Sequence, residues 1–235
     1  MGLQIFSPTV MQGNNKVFVP SSGITTVGSM SFTGTSTSNL SVGNDIDFRF
    51  RTGDFTIEWF QYMTSIGTFP RIFAMGTYSS QTIGVSIEGG TFYFWTSTAN
   101  SFGSVSSGLL NTWNHFAISR AGTSLRVFRN GSQLGSTLTN STDFNDTTNN
   151  LRIGNETSTS TGAAYQGYLT NFRWIKGTAV YTSNFPTPTS TLQPINNTKL
   201  LLAVTSEAGV STDSSASPKT VTNSNVTFIS SKPFA

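Results

Sequence analysis

Residues 112–131 read T-W-N-H-F-A-I-S-R-A-G-T-S-L-R-V-F-R-N-G, and no other stretch limits the fold as tightly. Alternation over two strands sets Trp113, His115, Ala117 and Ser119 on one face, and Asn114, Phe116, Ile118 and Arg120 on the other. Ala121-Gly122 turns the chain, because glycine takes the positive φ of compact hairpin turns. In the second strand Leu125, Val127 and Arg129 alternate with Arg126 and Phe128, and Asn130-Gly131 is a strong hairpin signal. Apolar side chains on both faces predict a hairpin at the centre of a layered β structure.

The rest of the chain repeats this pattern. Strand signals fall at 30–32, 39–42, 55–63, 71–75, 83–87, 91–95, 151–154, 168–175, 199–202 and 226–229. In 55–63, Phe55, Ile57 and Trp59 share one face and Phe60 and Tyr62 the other. No segment sustains a helical period over three turns, although 184–192 could hold a short turn between prolines. Many short strands with glycine-rich turns predict an all-β sandwich or jelly roll. The 235 residues suffice for a core without disulfides, and the sequence contains no cysteine. Only 10% of residues are charged, against roughly 25% in an average soluble protein. Polarity comes instead from 34 serines and 37 threonines, which favour turns and strands.

Residues 1–28 lack sustained periodicity and read as an extended N-terminal arm, leaving 29–235 as the jelly-roll domain. The arm carries apolar groups at Ile5-Phe6 and Val17-Phe18-Val19, which suit docking on a neighbour. No apolar run reaches the length of a membrane span, so membrane insertion is not expected. The N-terminus lacks the marks of a secretory signal and, with Phe6 in place of Ser or Thr, of myristoylation. The net charge of +3 is scattered, which argues against nucleic-acid binding.

Five ordered segments resemble the laminin-G-like jelly rolls of the concanavalin A-like lectin/glucanase superfamily. They are T-G-D-F-T-I-E-W-F (52–60), W-N-H-F-A-I-S-R (113–120), L-R-V-F-R-N-G (125–131), L-R-I-G (151–154) and G-Y-L-T-N-F-R-W-I-K-G-T-A-V-Y (167–181). With N-F-P-T-P-T after Val180-Tyr181, the chain is most similar to versions found in structural proteins of tailed phages and large aquatic viruses. The resemblance implies an all-β, two-sheet antiparallel jelly-roll sandwich with nearby chain ends. It implies no single activity, since lectins, glycosidases and structural parts share the fold.

Candidate chemistry is sparse. A retaining glycosidase needs two carboxylates about 5–5.5 Å apart, and no Glu-x-Asp-x-Glu spacing occurs. Glu58, within an aromatic strand, reads as a paired strand carboxylate, with a raised-pKa acid as the alternative. His115, the only histidine, reads as a core residue with a hydrogen-bonded ring. One histidine and no cysteine exclude a zinc site. Asp143 and Asp146, with Asn140, Asn145 and Asn149 nearby, are candidate calcium ligands, the alternative being an ordinary polar loop. Trp95 and Tyr93 are candidate glycan-stacking residues, unless their strand is buried on both faces. Seven Asn-x-Ser/Thr sequons are close to the chance number and carry no argument.

These readings lead to a non-enzymatic structural, decoration or adhesion protein on a virion surface. Its expected partners are capsid or tail proteins and further copies of itself, engaged through the arm. A carbohydrate-binding lectin that attaches to a cell-surface glycan is the alternative, and a glycoside hydrolase the remote one. No cofactor other than calcium is expected.

Overall fold

The computed structural model describes residues 23–77, 80 and 82–234. Fifteen strands among them form two antiparallel sheets, as the family resemblance implies. The eight-stranded sheet is built on β3 (Phe55–Ser65), β8 (Trp113–Ala121) and β12 (Gln166–Lys176). β9 (Ser124–Arg129) and β10 (Ser132–Thr139) extend it beyond β8. The other edge of β12 is shared: β1 (Ser29–Thr33) pairs with its first half, and β13 (Thr198–Leu202) with its second. β15 (Thr227–Ile229) adds to β1.

The seven-stranded sheet runs β14 (Val221–Ser224), β2 (Asn39–Val42), β11 (Leu151–Ile153), β4 (Arg71–Met75), β5 (Ile83–Glu88), β6 (Thr91–Trp95) and β7 (Ala99–Ser104). The central hairpin forms as read, with Phe116, Ile118, Leu125 and Val127 fully buried between the sheets. Trp59 anchors the core, stacking on Phe116 at 5.8 Å and meeting Phe73 of the opposite sheet edge-on at 5.8 Å. β7, β10 and β14 escape the sequence reading. Each is an edge strand made mostly of Ser, Thr, Asn and Gly, with little apolar alternation to detect.

A third layer covers part of the outer face of the eight-stranded sheet. Phe60, Leu192, Leu201 and Ala203 form a second apolar cluster there, with Ile24, Trp113 and Phe234 packed against it. The layer is an irregular strap, residues 177–197, together with the C-terminal tail; 184–192 forms no helical turn. Phe185 N–H donates to the Gly131 carbonyl and Gln133 N–H to the Asn184 side chain, fixing the strap to the β9–β10 turn.

Of the predicted arm, residues 1–22 lie outside the described residues. Residues 23–28 lie against the strap and the end of β13. Ile24 N–H donates to Gln193 Oε1, Thr26 N–H to Thr191 Oγ1, and Val27 N–H to the Val204 carbonyl. Ser29 Oγ donates to the Ser231 carbonyl, so the first and last described segments meet.

Candidate functional site

Alternation on three neighbouring strands brings three polar side chains together under the strap, and Tyr181 of the strap joins them. Glu58 of β3 lies opposite Arg173 of β12 and Ala117 of β8, one alternation step from His115. Arg173 donates to Glu58 Oε1 through Nε (2.9 Å) and Nη2 (2.6 Å). His115 Nε2 lies 3.1 Å from Oε2, and the Tyr181 hydroxyl donates to the same oxygen at 2.9 Å. Glu58 and His115 are fully buried. Burial alone would raise the Glu58 pKa. The Arg173 charge and the His115 hydrogen bond outweigh it and hold the carboxyl at about 2. Burial and the Glu58 carboxylate push the Tyr181 hydroxyl upward.

A carboxylate so placed remains ionised near neutrality and gives no proton to a leaving group. Glu58 is therefore the paired strand residue and not the raised-pKa acid. His115 is the expected core histidine, its ring fixed by Glu58. Arg173 and Tyr181 were not assigned to this cluster from sequence, because they stand 115 and 123 residues beyond Glu58.

Trp95 and Tyr93 occupy the outer face of the seven-stranded sheet, while Phe92 and Phe94 enter the core. Trp95 is only 7% exposed, so its ring is not the bare stacking surface that the sequence proposes. The Arg71 guanidinium lies 4.7 Å from its ring centroid and 5.6 Å from that of Phe69. Trp95 Nε1 donates to Ser86 Oγ (2.8 Å), Ser86 Oγ to Glu88 Oε1 (2.7 Å), and Arg71 Nη1 to the same oxygen (2.8 Å). Tyr93 is half-buried on this face. The patch is a packed cation–aromatic–carboxylate cluster in which Tyr93 and Glu88 keep partial exposure. Arg71 gave no sequence signal beyond strand membership, and Glu88 fell in the turn read between 83–87 and 91–95.

Asp143 and Asp146 each engage protein partners. Asp143 pairs with Arg51 at 3.1 Å near the surface. Asp146 accepts from Thr82 Oγ1, from the backbone N–H of Thr148 and Asn149, and from both of their side chains. Burial acts to raise its pKa, but these donors lower it. With both oxygens engaged by protein donors, Asp146 fastens its own loop to β5's entry. Among the described residues no group of three or more His, Cys, Asp or Glu side chains could hold a metal ion.

Against this geometry, the sequence profile described as the concanavalin A-like lectin/glucanases superfamily, of laminin-G type, matches residues 33–179. No curated protein matches the chain. Among solved structures, a protein of Bacteroides ovatus ATCC 8483 for which carbohydrate binding is proposed superposes with a TM-score of 0.66 at 15% identity. The match covers 91% of this chain and 62% of that one. The extracellular region of zebrafish Gpr126/Adgrg6 superposes with a TM-score of 0.58 at 16% identity, over 86% of this chain and 26% of that one. At such identities both relatives show the fold alone, and this chain spans less than two thirds of either.

Proposed function

We propose that this chain, which belongs to the concanavalin A-like lectin/glucanases superfamily, is a non-enzymatic carbohydrate-binding adhesion module. The observation that carries the reading is the state of its carboxylates. Glu58 is locked by Arg173, His115 and Tyr181, Glu88 by Arg71 and Ser86, and Asp146 by its loop. A glycosidase needs one carboxyl poised to donate a proton and a second free to attack or activate water. These three are committed to structure, whereas aromatic rings and hydroxyls remain at the surface for binding. The carbohydrate-binding role proposed for the Bacteroides protein supports the same direction.

Display on a virion, with attachment to capsid or tail proteins or to further copies through residues 1–28, is the setting we propose for the module. The resemblance of the long form, with N-F-P-T-P-T (184–189) after Val180-Tyr181, to viral structural proteins supports it, as does the low-charge, threonine- and serine-rich composition. A glycan array probed with the full chain tests the binding function. Retention on at least one glycan class is expected, and silence across the array contradicts it. Proteomics of purified particles tests the setting, and absence from them removes it.

A further inference from the structure

The outer face of the eight-stranded sheet holds a second aromatic surface, away from Trp95 and Tyr93. Trp113, Tyr62 and Tyr168 are cross-strand neighbours on β8, β3 and β12. Their rings lie 5.7 and 5.3 Å apart in sequence along the row, and all three are only half-buried. At the Trp113 end the strap and the C-terminal tail leave a pocket of about 410 Å³. This lies within the roughly 300–1,000 Å³ span of small-ligand sites.

The lining of the pocket is of two kinds. Phe60, Trp113 and Phe234 supply rings, with Phe234 held edge-on to Phe60 at 5.0 Å. Thr187 and Thr189 of the strap and Asn130 of the β9–β10 turn supply hydroxyl and amide groups. His115 completes the lining. Its Nε2 lies 3.1 Å from Glu58 Oε2. Nδ1 is buried and has no hydrogen-bond partner among the described residues. Among the described residues no Asp, Glu, Lys or Arg lines the pocket. A charged ligand would lose hydration there without gaining a partner of opposite charge.

We propose that this pocket binds the terminal unit of an uncharged saccharide. Trp113 and Phe234 pack on the C–H faces of the sugar ring, while Thr187, Thr189 and Asn130 exchange hydrogen bonds with its hydroxyls. The ligand class rests on the carbohydrate-binding reading; the place rests on the pocket alone.

The test compares the full chain with Trp113→Ala, Thr187→Arg and Trp95→Ala variants on an array of neutral, sialylated and uronic-acid glycans. Thermal melts verify that each variant is folded. Thr187→Arg fills the pocket from the strap without removing a ring, so it reports even where Trp113→Ala melts early. Binding to neutral glycans that falls at least tenfold in both pocket variants supports the site. Binding confined to acidic glycans overturns it, as does a loss seen only in Trp95→Ala. In either case the carbohydrate-binding reading stands. A wild-type chain that binds no saccharide overturns the reading and the site together.

Discussion

Glu58 shows how far a single residue can be read from its strand and where that reading stops. Alternation places it on the face opposite Trp59, yet its partners come from β8, β12 and the strap. Removing its charge leaves the Arg173 guanidinium buried without a counter-ion. Glu58→Gln is accordingly expected to lower stability by about 3–5 kcal/mol, measured by urea unfolding. The pH dependence follows from the same pair. The folded pKa, about 2, lies below the ordinary value of 4.5, so the stabilisation is fully present above pH 4.5. It is lost as pH falls from there through about 2, to a total of about 3 kcal/mol. Glu58→Gln should flatten the acid limb of the stability profile, and an unchanged acid limb would show that the pair is not its source. Gly131 is the second sensitive residue. It has a φ of +77°, and a Cβ there would fall on the Phe185 carbonyl oxygen. Gly131→Ala should therefore displace the strap, read as a rise in hydrogen exchange at the Phe185 amide.

Among the elements, legibility followed burial. Strands such as β3, β8 and β9 carry alternating apolar residues because one or both faces are covered, and they were read directly from the sequence. β7, β10 and β14 border the sheets, and their Ser, Thr, Asn and Gly residues leave the backbone ladder as the main support for pairing. Such strands open at low free-energy cost, so their amides should exchange much faster than those of β3 and β12. Equal protection across each sheet would contradict this. The strap was legible only as a proline-rich polar stretch, because its partners are the distant strands it covers. Tyr181→Phe deletes its hydroxyl contact to Glu58 and should cost about 1–3 kcal/mol in urea unfolding. It should also loosen residues 181–187 before the sheets themselves unfold.

For the whole molecule, periodicity and turn chemistry were enough to reach a β-sandwich or jelly roll, because each strand's pattern states which faces are covered; the family resemblance chose the two-sheet jelly roll. The binding surface needed more. Trp95 and Trp113 look alike in sequence, each a tryptophan in an aromatic strand. Their difference arises from what lies against them: the Arg71 guanidinium over one, and an open pocket beside the other. The partners of the candidate calcium residues were hidden for a similar reason, since Arg51 and Thr82 reach them from far along the chain. The central claim is that this jelly roll holds saccharides without cleaving them. The most direct test incubates the full chain with immobilised neutral oligosaccharides and measures retained protein and released reducing ends in the same sample. Retention without new reducing ends is predicted. Reducing ends that accumulate with time, or no retention on any oligosaccharide, would contradict it.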